Sequence, residues 1–94
     1  MILSFKCKKT KNLYESAKSR HFSDITKTAL RKLDMIEAAK TLDDLKVPPG
    51  NQFEALQGDR LGQHSIRINK QWRICFVWDE AHNSAIEVEI VDYH

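Results

Sequence analysis

The sequence predicts an α+β domain with N-terminal helices packed on one face of a mostly antiparallel β-sheet. Apolar residues recur every three to four positions from Ile25 to Ile36, the spacing of a single helix face. Segments of the second half instead alternate apolar and polar residues, the period of a half-buried strand. Val47-Pro-Pro-Gly50 stands between the two regimes and interrupts regular structure. Helices thus precede strands, and helices laid over one face of one sheet bury both apolar sides.

In chain order, Ile2-Leu-Ser-Phe5 reads as a short first strand, followed by Lys6, Lys8, Lys9 and Lys11. Thr10 is a candidate N-cap for a helix over 11–18. Ser23 is the next candidate cap, with Asp24 in the first turn, where a negative charge suits the helix dipole. That helix extends to about residue 40, with Ile25, Ala29, Leu33 and Ile36 on its apolar stripe and Leu30 beside them. Lys27, Arg31, Lys32 and Asp34 are assigned to the opposite face. Thr41-Leu-Asp-Asp44 has capping-box spacing and starts a further short turn.

The strand half begins with Phe53–Gln57, ended by Gly58-Asp59. In 63–69, His64, Ile66 and Ile68 point one way, and Gln63, Ser65, Arg67 and Asn69 the other. In 72–78, Trp72, Ile74, Phe76 and Trp78 oppose Arg73, Cys75 and Val77. In 85–91, Ile86, Val88 and Ile90 oppose Glu87 and Glu89, with 79–84 as the polar turn before them. Opposed residues on paired strands share a face, so only an odd-numbered connection between the first two of these strands keeps the apolar set together. One such register sets Arg67 against Arg73; another pairs Arg73 with Asn69 and Arg67 with Cys75. Either way both arginines share the face away from the helices, and that face stays partly open. By the same parity Trp72, Phe76 and Trp78 belong to the core.

With 94 residues the chain makes one domain, spanning 1–94, with a modest core. At 41% hydrophobic and 30% charged it is of soluble globular composition. No apolar run approaches the ~18 residues of a membrane span, and the N-terminal apolar stretch is too short for a signal peptide, so a cytoplasmic location and no membrane partner are expected. Cys7 and Cys75 lack CxxC or histidine ligand spacing and read as free thiols rather than a zinc site; no metal or cofactor is expected. Residues 1–50 carry eleven Lys/Arg and six Asp/Glu, and 51–94 carry four and seven, so the halves hold net charges of +5 and −3. The basic half is able to meet a polyanion, or simply to form a solvated helical surface.

Two arginines close together on a strand pair repel, and a phosphate would relieve that cost. Glu87 and Glu89, on the neighbouring strand and the same face, are the alternative partners. The last strand leads into Asp92-Tyr93-His94. Histidine gives or takes a proton near neutrality, and tyrosine stacks on an unpaired base. RNA cleavage by internal transesterification needs a proton taken from the 2′-OH, added phosphate charge stabilised, and a proton returned to the 5′-oxygen. An arginine face beside a titratable strand end supplies groups of these kinds. His21, His64 and His82 are assigned structural roles, His64 at a sheet edge or core rim.

Gly58-Asp-Arg-Leu-Gly-Gln-His-Ser-Ile-Arg-Ile-Asn69, Gln71-Trp-Arg-Ile-Cys-Phe76 and Val88-Glu-Ile-Val-Asp-Tyr-His94 closely resemble the HigB-type host-killing toxins of the RelE/ParE-like superfamily. The resemblance covers the whole chain, including Val47-Pro-Pro-Gly-Asn51. It implies a small RelE-like fold and an endoribonuclease that cuts mRNA on the translating 70S ribosome and so inhibits translation and growth. It also implies a HigA-type helix-turn-helix antitoxin as partner, with operator DNA bound only through the antitoxin complex. By resemblance, Arg67 and Arg73 contact phosphate and Asp92, Tyr93 and His94 form the terminal active-site group. His94 would transfer the proton, Tyr93 orient or stack a nucleotide, and Asp92 position a neighbour or assist. Lys6, Lys8, Lys9, Lys11, Lys27, Arg31 and Lys32 would form the RNA-binding surface. Some branches carry a lysine where Gln57 stands and a histidine where this chain has Glu54, so a second titratable group of those relatives is absent here, and two proton-transfer groups would both come from the tail or from the ribosome. The alternative within the superfamily is a non-enzymatic ParE-like toxin that poisons DNA gyrase.

Overall fold

A computed structural model describes residues 1–92. Helix α1 spans Lys8–Ser16 and α2 spans Thr26–Ala38; strands β1 (Glu54–Ala55), β2 (Gln63–Arg67), β3 (Trp72–Asp79) and β4 (Ser84–Asp92) form an antiparallel sheet in the order β1-β2-β3-β4. Both helices contribute to a single buried cluster with the sheet: Leu13, Phe22, Ile25, Ala29, Leu33 and Ile36 meet Ile66, Ile74, Phe76, Val88 and Ile90. Trp72 and Trp78 pack half-buried against this core, as their parity requires. Among the described residues no helix is long and apolar enough to cross a membrane.

The helix starts differ from expectation for identifiable reasons. α1 begins before Thr10, which is buried inside the helix; its Oγ1 accepts the Ile90 N–H at 3.0 Å. That hydroxyl satisfies a strand amide instead of capping its own helix. Ala17, in the left-handed region, ends α1 with its N–H on the Leu13 carbonyl. Ser23 does not cap α2 either: the chain turns over 21–25, burying Phe22, whose N–H is taken by Ser19 Oγ at 3.1 Å. The expected stripe of α2 is buried as read, but Lys32 is buried with it, only 7% exposed, and does not share the solvated face with Lys27 and Arg31. Past α2, Asp44 Oδ2 accepts the N–H groups of Lys40 and Thr41, completing the expected capping box of the short turn Leu42–Lys46.

The first segment is less regular than a strand. It makes parallel bridges to β4 at Ile2↔Ala85 and Phe5↔Val88. β1 is also shorter than the Phe53–Gln57 run suggests. The β2–β3 register is Ile66↔Ile74 and Arg67↔Arg73, one of the two odd-connection registers. Asn69 sets it: its Oδ1 accepts the N–H groups of Gln71 and Trp72, both at 2.8 Å, closing a short side-chain-capped turn. β4 contains a bulge, because Cys75 faces Glu89 while Val77 faces Ile86. Glu87 sits at φ 55° there. The extra residue reverses the alternation, so Ile86 moves to the face of Val77 and Ala85 takes the buried position opposite Trp78.

Candidate active site

The face turned away from the helices is built from cross-strand rows. One row places Arg67, Arg73 and Val91 side by side; the next places Glu54, Ser65, Cys75 and Glu89 across all four strands. The two arginines are adjacent, as the alternation predicts, but unequal. Arg73 is 6% exposed. Its Nε donates to Ser65 Oγ at 2.8 Å, its Nη2 donates to the Gln52 carbonyl at 2.6 Å, and Nη2 lies 3.3 Å from Glu54 Oε1. Arg67 is half-buried and makes no hydrogen bond or ion pair among the described residues. An arginine with its fork fixed beside one whose fork is uncommitted has the chemistry to receive an anion against one preorganised wall.

The carboxylates are not arranged as expected. Neither Glu87 nor Glu89 reaches Arg73. Glu89 is drawn to Arg60, 3.2 Å away, and to Lys6, 3.6 Å away. Arg60 also donates to Gln63 Oε1 at 3.1 Å. Glu87, at the bulge, is exposed. The partner of Arg73 is Glu54, which faces Ser65 on β2. With its side chain 51% exposed against 15% for Glu89, Glu54 is the accessible carboxylate of the arginine face. The strand reading missed it because the β1–β2 register could not be set from the Phe53–Gln57 run. The available signal was that an acid replaces a histidine at this position relative to some resembling sequences. Cys75 lies beneath these charges, fully buried. Burial pushes its thiol pKa up, Arg60 and Arg73 pull it down, and Glu89 and Glu54 add to the rise.

Asp92 lies opposite Trp72, one position past the Val91–Arg73 pair. Its parity therefore places it on the helix side of the sheet end, where it accepts from Gln71 Nε2 at 3.1 Å. Tyr93 and His94 fall outside the described residues. Lys6, Lys8, Lys9, Lys11, Lys27 and Arg31 are exposed. Lys32 is the correction in that group: its ammonium is buried and donates to Asn51 Oδ1 at 2.5 Å.

The three remaining histidines sit in structural positions. His21 packs edge-on against Phe22, and His82 Nδ1 lies 2.9 Å from Asp79 Oδ2 in the β3–β4 turn. His64 stacks on Phe53 with ring centroids 5.3 Å apart and leans on Phe76. Its Nδ1 is buried without a hydrogen-bond partner among the described residues, and burial holds its pKa below the usual value.

Comparison with known proteins bears on the family and the fold. Residues 3–94 match the family model described as HigB-like toxin, the RelE-like toxin of the type II toxin-antitoxin system HigB. The chain is 44% identical over 80 residues to Toxin HigB-1 of Vibrio cholerae serotype O1 (strain ATCC 39315 / El Tor Inaba N16961), covering 83% of this chain and 84% of that protein. It is 38% identical over 66 residues to an uncharacterized protein of Haemophilus influenzae (strain ATCC 51907 / DSM 11121 / KW20 / Rd), covering 70% and 65% of the two. In three dimensions it is similar to a chain of the YoeB-YefM complex from Staphylococcus aureus, with a TM-score of 0.57 and 17% identity over 100% of this chain and 98% of that one. That similarity bears on the fold.

Proposed function

The chain belongs to the HigB-like family of RelE-like toxins in type II toxin-antitoxin systems, and from that premise we propose that it is a ribosome-dependent mRNA endonuclease. The observation that supports this most directly is the pairing of Arg67 and Arg73 across β2 and β3, with Arg73 fastened and Arg67 uncommitted. In this reading the scissile phosphate lies over the two guanidinium groups. The 2′-oxygen loses its proton to a carboxylate or imidazole and forms a bond to phosphorus. The bond from phosphorus to the 5′-oxygen breaks as that oxygen gains a proton, leaving a 2′,3′-cyclic phosphate. Arg67 and Arg73 stabilise the extra negative charge on the non-bridging oxygens as it develops.

Glu54 is assigned the role of proton acceptor. It borders the arginine pair, 3.3 Å from Arg73 Nη2, and its side chain is accessible. His94 is assigned the return of the proton to the 5′-oxygen, with Tyr93 stacking on a base and Asp92 positioning the strand end. Exposed Lys6, Lys8, Lys9, Lys11, Lys27 and Arg31 are assigned to ribosomal RNA, where clustered positive charge gains by releasing counterions. The partner that neutralises the toxin is a HigA-type helix-turn-helix antitoxin, and operator DNA is reached only through that complex.

Mapping mRNA 5′ ends on translating ribosomes by primer extension tests this reading. New ends should appear with the wild type and disappear with Arg67→Ala and with His94→Ala. Growth arrest with intact mRNA and trapped gyrase–DNA breaks would replace the nuclease by the gyrase-poisoning alternative.

A further inference from the structure

Lys32 is the least economical residue of the fold. It lies on the buried side of α2, where a methionine would cover the same surface without stripping water from a charge. Among the described residues it has no carboxylate partner; its ammonium donates to the side-chain oxygen of Asn51. Asn51 is itself fully buried, and its Nδ2 donates to the carbonyls of Leu45 and Val47 at 3.2 and 3.4 Å. Asn51 therefore ties the turn Pro49–Asn51 both to α2 and to the preceding turn. The next residue, Gln52, sits at φ 43° and ψ 54°, a left-handed conformation that a side-chain-bearing residue adopts at a cost and that persists only where its surroundings impose it. Its carbonyl receives Arg73 Nη2. Two residues on, Glu54 meets the same guanidinium.

We infer that the buried Lys32–Asn51 pair is a positioning device, holding the 49–54 segment so that Gln52 and Glu54 set the guanidinium of Arg73. As a role in cleavage this rests on the endonuclease reading above; as a statement about Arg73 it does not. The pair acts through two other residues and touches no substrate. It gives a buried cation a purpose that core packing alone does not supply. Lys32 is thereby removed from the RNA-binding surface and placed behind the active site.

The test compares Lys32→Met with Ile36→Val, a core change on the same helix, at temperatures giving equal folded fractions. The primary readout is hydrogen exchange at Arg73 Nε–H by NMR, which reports the guanidinium directly. Lys32→Met should speed this exchange about tenfold or more, because loosening the segment frees local opening of the site, while Ile36→Val should leave it unchanged. On ribosomes, Lys32→Met should slow cleavage at saturation by about tenfold or more, the scale of a misplaced catalytic group, with the half-saturating ribosome concentration nearly constant. If Lys32→Met does not fold, Lys32→Gln, which keeps one donor for Asn51, should give the same changes at smaller amplitude. Arg73 exchange that is equal in the Lys32 variant and Ile36→Val overturns the inference. Faster exchange without any cleavage by the wild type upholds the positioning of Arg73 and overturns the nuclease reading instead.

Discussion

Arg67 and Arg73 stand opposite each other on β2 and β3, yet among the described residues only Arg73 is fastened, through Ser65, Gln52 and Glu54. Removing one should therefore not resemble removing the other. Arg67→Ala should leave stability within about 0.5 kcal/mol of wild type and lower cleavage about 10²–10³-fold. Arg73→Ala should also destabilise, by about 2–4 kcal/mol, because it empties a buried position and leaves the buried Ser65 hydroxyl without its charged donor. Urea unfolding beside primer extension separates the two. Equal stability losses would show that the arginines are energetically equivalent.

Glu54→Gln keeps the shape of the side chain and an oxygen for Arg73 but cannot take a proton near neutrality. Cleavage should fall about 10²–10⁴-fold, the range for loss of a general base. Stability should change by less than about 1 kcal/mol, since the ion pair is half-exposed. Single-turnover cleavage on isolated ribosome complexes measures the first quantity, and retention of wild-type rates would remove Glu54 from the chemistry.

His64 links the fold to pH. Its folded pKa is depressed below the ordinary 6.5 by burial, so the unfolded chain binds the proton more readily than the folded one. The stability associated with neutral His64 is present above 6.5 and lost as pH falls through and below that value. Protonation would set a charge between Phe53 and Phe76, at a buried Nδ1 that has no acceptor among the described residues. His64→Phe should flatten this part of the stability profile, followed by urea midpoints between about pH 4 and 7. An unchanged slope would assign the pH dependence to other groups.

The two cysteines should differ in reactivity. Cys75 is fully buried and its thiol pKa is raised by burial, whereas Cys7 is partly exposed at the entry to α1. A thiol reagent at neutral pH should modify Cys7 in the native protein and reach Cys75 only on unfolding. Equal labelling rates would mean that the sheet centre opens far more readily than its packing implies.

Much of this architecture was legible in the sequence because period-2 alternation and helical spacing report which side of an element meets the core. Parity placed Arg67 and Arg73 together and both tryptophans against the helices. It could not reveal the bulge at Glu87, where one extra residue reverses the alternation and sends Ile86 to the opposite face. Nor could it find Glu54, because a two-residue strand has no period to read. Lys32 stands three residues from Ala29 and four from Ile36, on the apolar stripe itself; its charge argues for the solvated face, and only Asn51, nineteen positions away, explains how the interior receives it. Thr10 departs from its expected capping role because its hydroxyl serves an amide of the last strand rather than its own helix. Local pattern reports faces, whereas these departures depend on partners distant in sequence.

The parallel bridges of the first segment to β4 have a consequence for synthesis. Residues 2 and 5 find their places at Ala85 and Val88, and Thr10 finds its donor at Ile90. Nascent chains that stop before these positions have nowhere to dock their N-terminal segment and no outer strand to close the core. Such long sequence separations make closure slow and late. A half-made copy of this toxin is therefore an unassembled one, its N-terminal segment undocked until the last strand has been made.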